Sequence, residues 1–280
     1  MHQKNEVISK WSESAPYWEK HREIIREMFA PVTQALIQDA GISGGNAVLD
    51  IATGPGEPAL SIAQLIGAKG KVVGIDPVAE MVEAARREGQ RGGFHNASFE
   101  VAFADSLPFP DGTFDAVVCR FGVMFVPSPL DSIREWLRVL KRGGRIAAAV
   151  WHFAERNPFH YVVAQIAERY FPSSPAAPDS PDAFRFADPG RLRAILSEAG
   201  VVATSERLLR FSIRASISVE DFWTLRREMS EKLRTTIALL SKQQVAELTR
   251  EVLEALKAYS SDDEIIFPGE VLIVSGGKPS

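Results

Sequence analysis

The 280-residue chain has ordinary apolar (45%) and charged (24%) fractions, enough to bury a large core as one big domain or as a core with a smaller cover. A net charge of −4 with no basic tract argues against nucleic acid as a partner. One cysteine, Cys119, excludes an intrachain disulfide framework and fits a reducing compartment.

At the start, MHQKNEVISKWSES lacks the apolar stretch of a signal peptide, and no later apolar run is long enough to span a bilayer. A cytoplasmic protein without stable membrane insertion is expected. Residues 5–40 carry apolar side chains at helical spacing up to Gly41. Then strands and helices alternate: NAVLDIA (strand), PALSIAQLIGA (helix), KVVGID (strand), VAEMVEAARREG (helix), ASFEVAFA and FDAVVCRF (strands), PLDSIREWLRVL (helix) and GRIAAAVW (strand). Strands that are apolar nearly throughout, alternating with helices, indicate a parallel sheet covered on both faces. After Trp151 the rhythm breaks. FHYVVAQIAERYF reads as a helix and PSSPAAPDSPD as a proline-rich connection. DPGRLRAILSEAGV reads as a helix capped by Asp188, with Pro189 in its first turn and Gly200 at its end. SERLLRFSI alternates like a strand, residues 218–258 are helical and charged, and EVLIVSGG closes as a strand. The segments near 152–187 and 216–266 are long insertions, which more often serve as functional covers than as idle loops.

The stretch VLDIATGPGEPAL places Gly54 and Gly56 at the end of the first strand, where open α/β sheets bind ligands. Glycine permits positive φ and close approach of a ligand. Gly54-Pro-Gly56-Glu-Pro-Ala59 also fits a dinucleotide pattern, but Pro58 removes an N–H donor, and Glu57 and Asp50 put negative charge where a pyrophosphate would lie. Those acids suit a ligand that carries positive charge and no phosphate, such as S-adenosylmethionine (SAM). Glu57 also fits a plain helix-dipole role, and Asp50 a turn role. Asp76, ending the second strand, can accept both hydroxyls of a ribose under either cofactor reading. Asp105 follows the third strand, with Ser106 beside it, where a carboxylate could accept from an adenine amino group or simply shape a turn.

VLDIATGPG, VVGIDPVAEMVEAAR, FADSLPFPDGTFDAVVCRFGVMFV and LRVLKRGGRIAAAVW, taken in order, resemble the core of a class I SAM-dependent methyltransferase of the kind related to ubiquinone/menaquinone C-methyltransferases. The resemblance covers residues 46–151. It implies an α/β fold with a doubly wound, Rossmann-like, mostly parallel seven-stranded sheet, an antiparallel C-terminal strand and helical cover insertions. It implies that Asp50 and the 52–56 turn (Ala52, Thr53, Gly54, Gly56) hold the methionine end and Asp76 the ribose. It further implies that Pro77 or Met81 lines the adenine, that Asp105 with Ser106 reads the adenine edge, and that Arg120 and Phe121 sit under the sulfonium. Pro58 departs from the family, which more often has a small or apolar residue there. The corresponding organisation is an N-terminal helical lid (1–45), a SAM-binding core (46–151), a substrate-cover insertion (152–187), completion of the core (188–215 and 267–280) and a helical cover insertion (216–266).

Methyl transfer from a sulfonium is an in-line displacement, which alignment and desolvation largely supply. A base is needed only if the acceptor must lose a proton; His152, just past the fifth strand, is the candidate, against a loop histidine bonded to backbone. Trp11, Tyr17 and Trp18 read either as anchors of the first helix or as a lid over the cofactor. Phe159 reads as part of an apolar acceptor pocket or as a helix contact. Arg120 suits an acidic substrate or a local carboxylate. The expected acceptor is a small apolar or aromatic molecule; no metal site is expected, and a homodimer is compatible with the sequence. The alternatives are a nicotinamide-dependent oxidoreductase using the same turn, and a non-catalytic SAM-binding protein.

Overall fold

The computed structural model describes residues 2–171, 179–261 and 264–280, except for the side chains of residues 2–7 and 10. Most of the proline-rich connection, residues 172–178, lies outside the described residues. In chain order the elements are α1 (His2–Lys20), α2 (Arg22–Met28), α3 (Ala30–Asp39), β1 (Ala47–Ile51), α4 (Ala59–Ile66), β2 (Lys71–Asp76), α5 (Ala79–Arg91), β3 (Ala97–Val101), β4 (Phe114–Arg120), α6 (Pro129–Val139) and β5 (Leu140–Trp151). The second half adds α7 (Pro158–Tyr170), α8 (Arg191–Glu198), β6 (Val202–Ala215), α9 (Val219–Met229), α10 (Glu231–Ile237), α11 (Lys242–Leu256), β7 (Ser260–Ser261) and β8 (Glu264–Gly277).

The sheet runs β3-β2-β1-β4-β5-β8-β6, and the two-residue β7 pairs with β8 off that path. Strands β1 to β5 pair in parallel. β8 is antiparallel to both β5 and β6, with Trp151 opposite Val271 and Leu209 opposite the same residue. Consecutive residues of β1 and β4 are buried, as are Ile146 to Trp151 of β5, so these central strands have packing on both faces. Helices α4 and α5 lie against β2 and β3, α3 against β4, β5 and β8, and α6 and α8 pack on each other and on the sheet. Chain order reverses between β1 and β4, which opens a crevice at the carboxyl ends of these strands.

One boundary differs from the sequence reading. α8 starts at Arg191 behind Gly190, whose φ of 86° is left-handed, so Asp188 and Pro189 precede the helix instead of capping it. The Gly190 N–H is taken by Glu206 Oε1 of β6 at 2.7 Å, and that tertiary bond fixes the later start. Gly200, φ 99°, follows the helix end as expected. The cover is formed by α7 on α11 and β8, and by α9 on α11 and α1. Helix α1 also crosses α5, where Ala15, Val78 and Met81 make a small separate apolar cluster. Among the described residues no helix is long and apolar enough to cross a membrane.

Candidate active site

The crevice at the strand ends is a cleft enclosing about 1290 Å³, part of it open to solvent. Its floor is the turn after β1. Ala52 (φ 56°), Gly54 (φ 55°) and Gly56 (φ 113°) all hold positive φ. Ala52 does so with a Cβ, a conformation that costs about 1–3 kcal/mol and clusters at ligand sites. Gly122, after β4, makes room for it, because a Cβ at position 122 would collide with that of Ala52. Phe121 is likewise left-handed (φ 60°) and stacks flat on Trp151 at 4.4 Å.

Asp76 ties this floor together. Its Oδ2 accepts from Gly54 N and its Oδ1 from Val78 N, each at 3.0 Å. Burial pushes its carboxyl up to about 6 against those two N–H bonds. Asp50 lies beneath the turn, wholly buried, with Oδ2 accepting from Ala59 N at 3.1 Å and Oδ1 without a partner. Burial raises it to about 7, opposed by the Thr53 hydroxyl, Arg120 and the Ala59 N–H. Arg120 donates to Thr33 Oγ1 at 2.8 Å and to the Glu57 carbonyl at 3.4 Å. Burial lowers Arg120 while Glu57 and Asp50 hold it up. Burial raises Glu57, against Arg120 and the Ser61 hydroxyl bonded to it at 2.7 Å. Glu57 is thus a member of a buried charge cluster as well as a charge at a helix start.

Of the residues singled out in the sequence, Ala52, Thr53, Gly54, Asp76, Pro77, Met81, Asp105, Arg120, Phe121, Trp11 and Trp18 line the cleft together. The others do not. Asp50 faces the turn from below and reaches a ligand only through its field. A Cβ on Gly56 would point at Leu60, 2.8 Å from its Cδ1, and at Ala85, so this glycine serves helix packing and positive φ. Ser106 is exposed in the turn after β3, its N–H on the Phe103 carbonyl. Tyr17 sits under the guanidinium of Arg234, 4.9 Å from its ring centre. Phe159 is buried in an aromatic cluster with Phe29, Phe222 and Phe267.

His152 needs a correction. Its Nδ1 bonds Glu270 Oε2 of β8 at 2.9 Å, its carbonyl takes the Asn157 amide, and it does not line the cleft. The antiparallel partner strand draws the ring away, so the assignment of a base to His152 is withdrawn. Among the described residues no histidine lines the cleft. Sequence reading missed Arg22, Phe29 and the Phe125-Val126-Pro127 stretch, all cleft-lining. Trp11 meets Phe125 edge-on at 5.2 Å and Trp18 at 5.7 Å, so α1 covers the opening. Only the unusual run VMFVPSP after β4 could have signalled this wall.

This sheet order, with a glycine turn after β1 and an acid at the end of β2 facing one cleft, is that of class I SAM-dependent methyltransferases. Residues 48–144 match the model of a methyltransferase domain. The ubiquinone/menaquinone biosynthesis C-methyltransferase UbiE of Marinomonas sp. (strain MWYL1) is 30% identical over 189 residues, 64% of this chain and 75% of that enzyme. The enzyme of the same name from Pseudomonas fluorescens (strain SBW25) is 43% identical over 111 residues, which is 39% of this chain and 43% of that enzyme's length. The crystal structure of the YcgJ protein from Bacillus subtilis has the same fold, with a TM-score of 0.57 at 22% identity, covering 89% of this chain and 98% of that one. The chain belongs to the UbiE-like family of SAM-dependent methyltransferases. SAM is its cofactor, and the nicotinamide reading of the turn falls away.

Proposed function

We propose that the enzyme methylates a small, apolar or aromatic molecule in the cytoplasm, with the acceptor admitted beside Phe121 under the cover helices. The observation that carries this reading is the lining of the cleft: a strand-end acid and a left-handed turn on one side, and Trp11, Phe29, Phe121 and Phe125 on the other. SAM supplies a methyl group already activated on a sulfonium. The residues fit it: Asp76 has two carboxylate oxygens for ribose hydroxyls, and the buried acids Asp50 and Glu57 outnumber Arg120 where a cationic methionine end would lie. The unpartnered Oδ1 of Asp50 leaves part of that negative charge unanswered within the protein. Pro77 and Met81 offer an apolar slot for adenine and Asp105 a carboxylate for its edge. Arg120 and Phe121 flank the sulfonium end.

With His152 turned away, the residues of the cleft orient, desolvate and exclude water more than they move protons. Alignment of this kind lowers barriers by about 7–11 kcal/mol. The domain division follows: residues 1–45 act as lid, 46–151 hold the cofactor, and the segments 152–187 and 216–266 choose the acceptor. Calorimetry with S-adenosylhomocysteine and NAD tests cofactor choice, and saturable binding of the first alone is expected. Turnover of methyl-labelled SAM with a fractionated metabolite extract names the acceptor. Label found only in a macromolecular fraction would overturn the small-molecule reading.

A further inference from the structure

Under the cover helices the guanidinium of Arg226 has no acid among the described residues. Arg226, on α9, lies over the Phe159 ring at 4.6 Å and donates from Nη2 to His160 Nδ1 at 3.4 Å. Its Nε is buried without an acceptor. Because His160 Nδ1 accepts, its proton sits on Nε2, which is also buried without an acceptor. Burial alone lowers Arg226, to about 10, and burial with Arg226 beside it holds His160 well below its usual range. Arg185, on the loop before α8, is half-buried and also lacks an acid among the described residues. Its Nη1 donates to the Val126 carbonyl at 2.7 Å, its Nε is buried without an acceptor, and only burial acts on its charge. No carboxylate among the described residues pairs with Arg226 or Arg185. A buried cation left this way is costly unless an anion is supplied to it.

The position of the Arg226–His160 pair gives that ligand a class. Phe159 meets Phe29 edge-on at 5.8 Å, and Phe29 lines the cleft. Trp151 joins His160, at 4.6 Å, to Phe121, at 4.4 Å, and Phe121 lines it too. The pair therefore stands one aromatic layer behind the wall beside which the acceptor is placed above. Its complement is a group that only accepts hydrogen bonds, carries one negative charge and continues into a flat apolar body. A carboxylate on an aromatic or apolar acid meets all three conditions. A phosphate dianion would bring a second charge that one guanidinium and a neutral imidazole do not answer.

Resting on the proposed function, we infer that the methyl acceptor is an aromatic or apolar carboxylic acid, its carboxylate held by Arg226 and the Nε2–H of His160 and its body lying across Phe29 and Phe159. On this reading the buried Phe29 ring has to turn aside for an acid in the cleft to reach the pair.

The test is titration of the full-length protein, saturated with S-adenosylhomocysteine, with benzoate, benzamide and phenyl phosphate. Benzoate should bind at least about tenfold more tightly than the other two. Arg226→Gln should erase that preference while S-adenosylhomocysteine affinity stays within about twofold. His160→Phe, which keeps the ring packing on Trp151, should weaken benzoate about threefold and stands in if Arg226→Gln fails to fold by circular dichroism. Equal binding of benzoate and benzamide, no benzoate binding, tighter phenyl phosphate, or a preference that survives the substitutions would each overturn the proposal. Failure of the parent to bind S-adenosylhomocysteine would instead overturn the cofactor site itself, and the proposal with it.

Discussion

Around the 52–56 turn each buried carboxylate has at least one donor: Asp76 has two backbone N–H groups, Asp50 one and Glu57 the Ser61 hydroxyl. Under α7 and α9 the guanidinium of Arg226 has no acid among the described residues. The first region gives every acid a donor but keeps negative charge in excess, with one Asp50 oxygen unpartnered. The second stops short, with positive charge in excess. A site that must hold one constant cofactor can be finished by local backbone geometry. A site that chooses among acceptors keeps its unmatched charge for the ligand to match.

The contrast breaks most visibly at Asp76. Asp76→Ala removes the acceptor of the Gly54 and Val78 N–H groups together with the proposed ribose contact. Hydrogen bonds to charged groups are each worth about 1.5–3 kcal/mol, so S-adenosylhomocysteine affinity should fall about a hundredfold or more. Asp105→Ala should cost only a few-fold, and calorimetry on both variants giving the reverse order would reject the ribose assignment.

Asp50 gives the next largest effect and carries a pH signature. With its carboxyl near 7 in the free protein, a cation bound above it favours the ionised form, so binding releases a proton below that pH. SAM affinity should rise from pH 5.5 to 7.5 and then level off, and Asp50→Asn should lose about tenfold and flatten the profile. Stability runs the other way. The folded carboxyl titrates above its ordinary value of 3.8, so the folded state holds more protons between those limits. Ligand-free stability should therefore decline from about pH 4 through 7, with Asp76, raised to about 6, adding to the decline. Thermal denaturation of Asp50→Asn should show a shallower loss; an identical slope would place the titrating group elsewhere.

Smaller effects sharpen the boundary between the regions. Trp11→Ala opens the cover over Phe125 and should weaken SAM about threefold to tenfold, through the loss of a buried aromatic contact of about 0.5–1.5 kcal/mol beyond its area. Stopped-flow dissociation should accelerate by the same factor. His152→Gln should leave kcat within about twofold, since the ring bonds Glu270 outside the cleft. A large loss in kcat with unchanged stability would restore His152 to the chemistry.

The two regions also differed in how far they could be read from the sequence. The strand-end acids and the glycine turn are legible because backbone geometry demands those residue types at those positions. Gly56 shows the limit: its need for glycine was evident, but the contact with Leu60 and Ala85 depends on how α4 and α5 pack. A substitution there would disturb folding before it touched the cofactor. His152 was misread because its partner lies 118 residues on, in an antiparallel strand whose register no local pattern reveals. Phe159 has the same periodicity whether it faces a substrate or a core. Arg226 sits on a charged, amphipathic helix and looks solvated until α7 lies against it.

β8 comes last in sequence yet lies between β5 and β6. On the ribosome, β1 to β5 can assemble as they emerge, but β6 has no edge to join until β8 has been made. β5 therefore waits as an open edge while some 110 residues are synthesised, holding a hydrophobic template toward any strand that passes. Closure of the sheet and seating of the cover helices then become a single late event, after the parallel strands have paired.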